Sequence, residues 1–318
     1  MTGIGIRAPR FGIQLQAQRT TWDHYLEALK AVEACGFDAV WNFDHMLPFA
    51  GPDDASCFDT LTTLAAMAAS TSRIRLGSLV NGVLYRDPAT LAKSAATIDQ
   101  ISHGRLEFAL GAAWAEREFH AYGLPFPPVK ERMGRLEEAL QIVRQLWFQH
   151  RTTYEGRYYS LHDAPCEPKP VQVPHPPILI GGLGRTTLRI ASRHADIWNG
   201  VASPARCAQA IDTLRGFCGE IGRNFEEIEL SAHPNLSIAR THEAAEAGAR
   251  AMASAIEHNL DEERDRWLIG TPDEVVEALQ RYVDVGISYW VMAIGAPFNL
   301  EGLELFASEV IPRFRKVV

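Results

Sequence analysis

Short apolar runs alternate with helix-patterned stretches along almost the whole of this 318-residue chain. That order is expected when each parallel strand is followed by a crossover helix. Phe11 to Leu15 reads as a first strand. Thr20 then caps a helix whose apolar residues Tyr25, Leu26, Leu29 and Val32 share one face before Gly36 ends it. Ala39 to Asn42 is a second strand, followed by an irregular loop and a helix over roughly 59–69. Arg75 to Val80 is a third. Its helix opens on Asp87, with Pro88 at the first helical position, where a missing N–H costs nothing. Leu106 to Leu110 is the fourth, with a helix after it over about 131–147. In the interval 150–177, Pro165, Pro168, Pro170, Pro174, Pro176 and Pro177 exclude a regular helix, so it reads as an excursion after the fourth β/α unit and not as a linker. Ile178 to Ile180, Asp196 to Trp198, Ile228 to Ile238 and Tyr289 to Ile294 supply four more strands. The helix before the last of these opens with the capping box Thr271, Pro272, Asp273, Glu274. Eight such units predict one α/β domain over 1–318, a closed (β/α)8 TIM barrel, with an open doubly wound sheet as the alternative.

Composition narrows the class. With 47 % apolar residues the chain can bury a full core. The net charge of -8 comes from dispersed acidic residues with no basic block, which argues against a nucleic-acid partner. The five cysteines, Cys35, Cys57, Cys166, Cys207 and Cys218, are odd in number and lack a CxxC, so neither a disulfide framework nor a zinc site is suggested. The run after Arg7 and Arg10 is too short and polar for a signal peptide, and no stretch approaches a membrane span. The expectation is a soluble cytoplasmic protein acting on a small molecule.

In a barrel of this kind, chemistry belongs to the loops after the strands. Asn42, Asp44 and His45 follow the second strand, Asn81 the third, and Trp114, Glu116 and Glu118 the fourth. His45 is the leading proton-transfer candidate, with Asp44 as its expected partner, because an imidazole titrates near neutral pH. The run Gly181, Gly182, Leu183, Gly184, Arg185 lies between a strand and a helix, where backbone N–H groups and Arg185 suit an anion such as a cofactor phosphate. It is only half a GxGxxG and sits far from the first strand, so a Rossmann fingerprint is poorly supported. Trp114 suits an aromatic wall, and of the two glutamates Glu116 is favoured for cofactor or substrate contact. Two glutamates two residues apart do not define opposite faces of a sugar, and no GxSxG or HExxH occurs. Glycoside hydrolysis, covalent hydrolysis and a catalytic metal are therefore not expected.

These residues lie within longer matching segments: FGIQ, FDAVWNFDHMLP, the run from Leu76 to Gly123, PPILIGGLGRTTLRIASRHADIWN and IGTPDEVVEAL. In that order and spacing the chain resembles the luciferase-like monooxygenase superfamily, and within it the oxidoreductases that use the deazaflavin coenzyme F420. The resemblance implies a cofactor ring in the barrel mouth and its phosphate tail at Gly181 to Arg185. It also implies a non-prolyl cis peptide within Leu79, Val80 and Asn81, ring-pocket positions at Asn81, Ala113 and Trp114, and a proton-transfer or substrate-orienting role for His45. Many relatives have Gly-Trp-Asn where this chain has Ala113, Trp114, Ala115. The reaction implied is hydride transfer between F420 and a small organic substrate, by a homodimer. The alternatives are an FMN-dependent monooxygenase, a cofactor-binding protein without catalysis, and a lyase or isomerase that grips a phosphorylated substrate.

Overall fold

The computed structural model describes residues 7–49 and 51–315. Eight parallel strands close into a barrel: β1 (Arg10–Leu15), β2 (Ala39–Asn42), β3 (Arg75–Ser78), β4 (Leu106–Gly111), β5 (Ile178–Gly181), β6 (Ile197–Gly200), β7 (Glu229–Ala232) and β8 (Tyr289–Ile294). Closure is made by β8 against β1, in the register Phe11 to Trp290 and Ile13 to Met292. Around the staves lie α1 (Trp22–Ala34), α2 (Thr60–Ser70), α3 (Pro88–Ile101), α4 (Glu116–Ala121), α5 (Val129–Phe148), α6 (Arg185–His194), α7 (Pro204–Glu220) and α8 (His242–Ala255), with further helices at Pro272–Val283 and beyond Asn299. No helix among the described residues is long and apolar enough to cross a membrane.

Local chemistry accounts for most boundaries. Asp87 accepts the Ala89 N–H and Pro88 opens α3. Thr271 and Glu274 form the reciprocal capping box. The cap of α1 is Thr21, not Thr20: the Thr21 hydroxyl accepts the His24 N–H, whereas the Thr20 hydroxyl donates to the Thr21 carbonyl. The run Ile228 to Ile238 is not one strand. It breaks at His233 and Pro234 into β7 and a second piece, Asn235–Ile238, which pairs with Trp267–Gly270, a strand the sequence pattern did not mark. The proline-rich excursion contains an antiparallel hairpin, Thr152–Glu155 with Ser160–Ala164. Its far end is anchored by the fully buried Asp99 carboxylate, which accepts the N–H groups of Val171 and Gln172.

Side chains alternate across each strand, and this produces two cores. The larger lies between staves and helices. The smaller fills the barrel itself with Ala39, Trp41, Ala109, Leu179, Ile197, Tyr289 and Val291. Below them, at the N-terminal end, sits a charged plug. Glu107, 1 % exposed, pairs with Arg10 and with Arg75 Nε at 2.6 Å, and accepts the Tyr289 hydroxyl at 3.0 Å. Arg10 also reaches Glu229 at 2.8 Å and lies 4.1 Å above the Tyr289 ring. Burial pushes the Glu107 carboxyl up, but Arg10 and Arg75 outweigh that and hold it below the usual carboxylate range.

Removing one member of this plug strands the others. Glu107→Gln leaves two arginines facing an uncharged amide, and should lower the unfolding free energy by about 3–5 kcal/mol, measured by urea titration. A loss below about 1 kcal/mol would show that the plug does not hold the barrel floor.

Candidate active site

At the C-terminal end the interior changes character. Val80, beyond the cis Leu79–Val80 peptide, projects between two strand ends that carry glycine. A Cβ on Gly111 would lie 2.6 Å from Val80 Cγ2, and one on Gly181 would lie 3.5 Å from Val80 Cγ1. The next residues, Asn81 and Gly82, pair with Leu110 and Gly111 of β4, and the Asn81 amide donates to the Ala109 carbonyl. The cis bond falls within the span Leu79 to Asn81 where the resemblance placed one.

His45 follows β2 and is 8 % exposed. Its Nδ1 lies 2.5 Å from Glu118 Oε1. Glu118, 1 % exposed on α4, also accepts the Met46 N–H at 2.9 Å and the Tyr85 hydroxyl at 2.7 Å. Burial pushes the Glu118 carboxyl up, but His45, the Met46 N–H and Tyr85 outweigh it and hold the group ionised below its ordinary range. An ionised carboxylate only accepts, so the proton at this contact belongs to His45 Nδ1. Nε2 has no protein partner among the described residues, which leaves it available to gain or lose a proton. Phe43, Phe49 and Trp114 surround the imidazole, with ring centroids 5.3, 4.5 and 5.3 Å away. The nearby Cys57 thiol is pushed up to about 12 by burial and by the charges of Glu118 and Asp44, so it is no nucleophile at neutral pH.

Asp44 does not touch His45. Its carboxylate accepts the Gly82 N–H at 2.9 Å and Arg86 at 2.8 and 2.9 Å, tying the loop after β2 to the loop after β3. Glu116 is likewise apart from His45: it is exposed and faces His120 at 3.7 Å. The sequence reading of Asp44 as the partner of His45 is thus corrected to Glu118, and the preference for Glu116 finds no contact in the site.

The turn after β5 leads into the N-terminus of α6. Gly182 has φ +130°, a conformation side chains rarely adopt, and its N–H is held by the Asn199 carbonyl. Gly184 is the N-cap of α6 and offers no side chain to cap it. The first helical hydrogen bond runs from the Leu188 N–H to the Gly184 carbonyl, so the N–H groups of Arg185, Thr186 and Thr187 precede it. Leu183 is half-buried at this turn, and Arg185 is exposed with its guanidinium 4.9 Å over the Phe217 ring. Beneath the mouth, Asn199 Oδ1 is buried with no donor. The residues therefore fit a cofactor with an anionic tail and a ring bearing N–H groups. A separate recess of about 650 Å³ beside α1, bordered by His24, Phe298 and Leu300, does not include His45.

A family model described as luciferase-like monooxygenase matches residues 4–289. The chain belongs to the luciferase-like monooxygenase family. Two curated relatives that the chain matches along most of its length are F420-dependent glucose-6-phosphate dehydrogenases. The one from Nakamurella multipartita is 27 % identical, covering 97 % of both chains. The one from Kineococcus radiotolerans is 29 % identical over 89 % of this chain and 90 % of its own. Among solved structures, an F420-dependent secondary alcohol dehydrogenase in complex with an F420–acetone adduct superposes with a TM-score of 0.86 at 23 % identity, covering 97 % of this chain and all of the other. The F420-dependent tetrahydromethanopterin reductase of Methanopyrus kandleri gives 0.82, also at 23 %. At these identities the likeness to solved structures is one of fold, and it is the TIM barrel that the alternation of elements predicted.

Within this luciferase-like barrel the loops after β2 and β4 meet at His45 and Trp114, while Ala113, at φ +60°, accepts Arg132 through its carbonyl. The residues missed from sequence were Tyr85, Arg86 and the role of Glu118. Because the folded carboxyl of Glu118 is depressed, its interactions stabilise the fold fully above the ordinary value of 4.5 and are lost as pH falls through the folded value. Glu118→Gln should therefore melt several degrees lower at neutral pH, with the gap to the parent closing in thermal scans as pH falls below 4.5 and through the depressed folded value.

Proposed function

We propose that this chain is an F420-dependent oxidoreductase, exchanging hydride with a small organic substrate, and that His45 moves the accompanying proton. The observation that carries the reading is the buried His45–Glu118 pair, which fixes the imidazole through Nδ1 and leaves Nε2 free at the barrel mouth. The curated relatives at 27 % and 29 % identity support F420 over FMN.

When bound, the deazaflavin supplies a ring carbon that accepts or donates hydride, with little of the oxygen chemistry of a flavin. The chain's own residues would do the rest. Gly181, Gly182, Leu183, Gly184 and Arg185 would hold the phosphate tail through backbone N–H groups and charge. Leu79, Val80 and Asn81 would support the ring from below, with Ala113 and Trp114 at its edge. His45 would hold the substrate oxygen and take up or return its proton through Nε2, while Glu118 stabilises the imidazolium. Asp44 acts at one remove, by fixing the Gly82 backbone and Arg86. Glu116 has no part in this scheme. The proposal includes a cytoplasmic homodimer through α2 and α3, supported by the family resemblance and testable by light scattering.

Calorimetric titration should show F420 binding more tightly than FMN. His45→Ala should lower kcat by about 10²–10⁴ while leaving the F420 Kd nearly unchanged. Gly182→Ala forces a side chain into φ +130° with its Cβ 3.2 Å from Thr187 Cγ2, and should weaken F420 by about tenfold. Absence of F420 binding, or full turnover by His45→Ala, would refute the reading.

A further inference from the structure

Among the described residues Glu118 is the one carboxylate in contact with His45, and its pull on the imidazole depends on how its charge is shared. Its two oxygens are used unequally. Oε1 faces His45 Nδ1 at 2.5 Å, while Oε2 accepts the Met46 N–H at 2.9 Å and the Tyr85 hydroxyl at 2.7 Å. The Met46 donor is backbone and comes with the loop. Tyr85 is thus the one side chain besides His45 that donates to this carboxylate among the described residues.

Tyr85 keeps its proton. Burial first, and then the hydrogen bond and charge of Glu118, push its phenol far above the usual range. The ring is held on two sides: it stacks on Phe119 at 4.7 Å with planes 12° apart, and a Cβ on Gly82 would lie 2.6 Å from it. Gly82 in turn is fixed through its N–H by Asp44.

The other titratable groups near the pair do not replace this bond. Asp44 and Arg86 neutralise one another at 2.8 Å, and Arg86 also holds Asp59. The Cys57 thiol stays protonated. On α4, Glu116 faces His120 and Arg117 pairs with Asp53, while Tyr122 just beyond it donates to the Met46 carbonyl and not to the carboxylate. The remaining walls of the imidazole are uncharged rings.

We propose that Tyr85 is a positioning residue that sets the proton affinity of His45. A carboxylate relieved of that donor would concentrate its charge on Oε1 and favour the imidazolium. The Tyr85 hydroxyl draws part of the charge to Oε2, so that Nε2 can take a proton as well as return one. The use of this balance in turnover rests on the hydride-transfer reading above, but the balance itself belongs to the chain without cofactor.

The test is an NMR titration of the nitrogen-labelled chain without cofactor, with the His45 ring signals assigned by their loss in His45→Ala. Tyr85→Phe keeps the stack on Phe119 and removes only the hydroxyl. Its His45 should bind the proton about three- to tenfold more tightly than in the parent, which moves the titration midpoint to higher pH. Replacing Tyr85 by 3-fluorotyrosine, a more acidic phenol and a stronger donor, should move the midpoint to lower pH, an opposite response that loosened packing would not give. A midpoint unchanged or lower in Tyr85→Phe, or unchanged or higher in the fluorinated chain, would each overturn the proposal whether or not F420 binds. Midpoints that move as expected in a chain that binds no F420 would instead overturn the hydride-transfer reading alone.

Discussion

The charged plug of Arg10, Arg75, Glu107, Glu229 and Tyr289 is the constraint on which the interior of this barrel depends. Four ionisable side chains converge on Tyr289 at the N-terminal end of a space about one side chain deep, and each is satisfied by another. Above them Trp41 reaches down, its indole N–H donating to the Tyr289 hydroxyl at 2.8 Å. Gly77 makes the room for that indole, since a Cβ there would overlap the Trp41 ring and lie 2.6 Å from the Glu107 carbonyl. With one end closed by ion pairs and the middle filled by Trp41, Leu179, Ile197 and Val291, the small residues Gly111, Gly181 and Ala293 fall to the other end. The mouth is therefore open because the floor is full.

The same alternation explains which parts of the molecule were legible in the sequence. Seven of the eight staves were marked within a residue or two because each is a short apolar run between a helix end and a helix cap, and Asp87, Pro88 and the box at Thr271 have local signatures. The remaining one, β7 within the run Ile228 to Ile238, looked continuous because apolar residues recur along the whole run. Pro234 has no N–H to give the ladder, and its carbonyl accepts the Ala293 N–H instead. Trp267 to Gly270 went unmarked because only three apolar residues, Trp267, Leu268 and Ile269, stand ahead of the strong capping signal at Thr271.

Site residues show a similar division. His45 was nominated by residue type and position, but its partner was assigned by adjacency, and adjacency misleads here. Neighbouring residues in extended backbone project to opposite sides, so Asp44 turns towards Arg86 and Gly82 while His45 turns towards α4. On α4, Glu116 and Glu118 are two positions apart, about 200° around a helix, so only one can face inward. Phe119, fully buried, marks the inward side, and Glu118 beside it shares that burial. That periodicity was the available signal, in a helix of six residues too short to display it clearly.

What no pattern revealed is how the two sides of the mouth are joined. Gln14, Gln16 and Gln18 alternate along β1 and just past it, and all three are buried. Gln18 accepts the Phe49 N–H and donates to Gln16, which connects the strand end to the ring packed on His45. Gln14 donates to the Leu79 carbonyl at 3.2 Å, so its amide orientation is fixed, and its oxygen is left to accept from His233 Nε2 at 3.0 Å. Burial, aided by Arg266, pushes His233 down to about 4 and keeps it neutral across the physiological range. Its proton is thereby placed on Nε2, so a neutral histidine at the break in the seventh stave holds, through one glutamine, the backbone on which the candidate ring site is built. The sequence anomaly at His233 and Pro234 and the bulge at Leu79 and Val80 are two ends of one hydrogen-bonded chain, and the irregularity that made the strand hard to read positions the mouth.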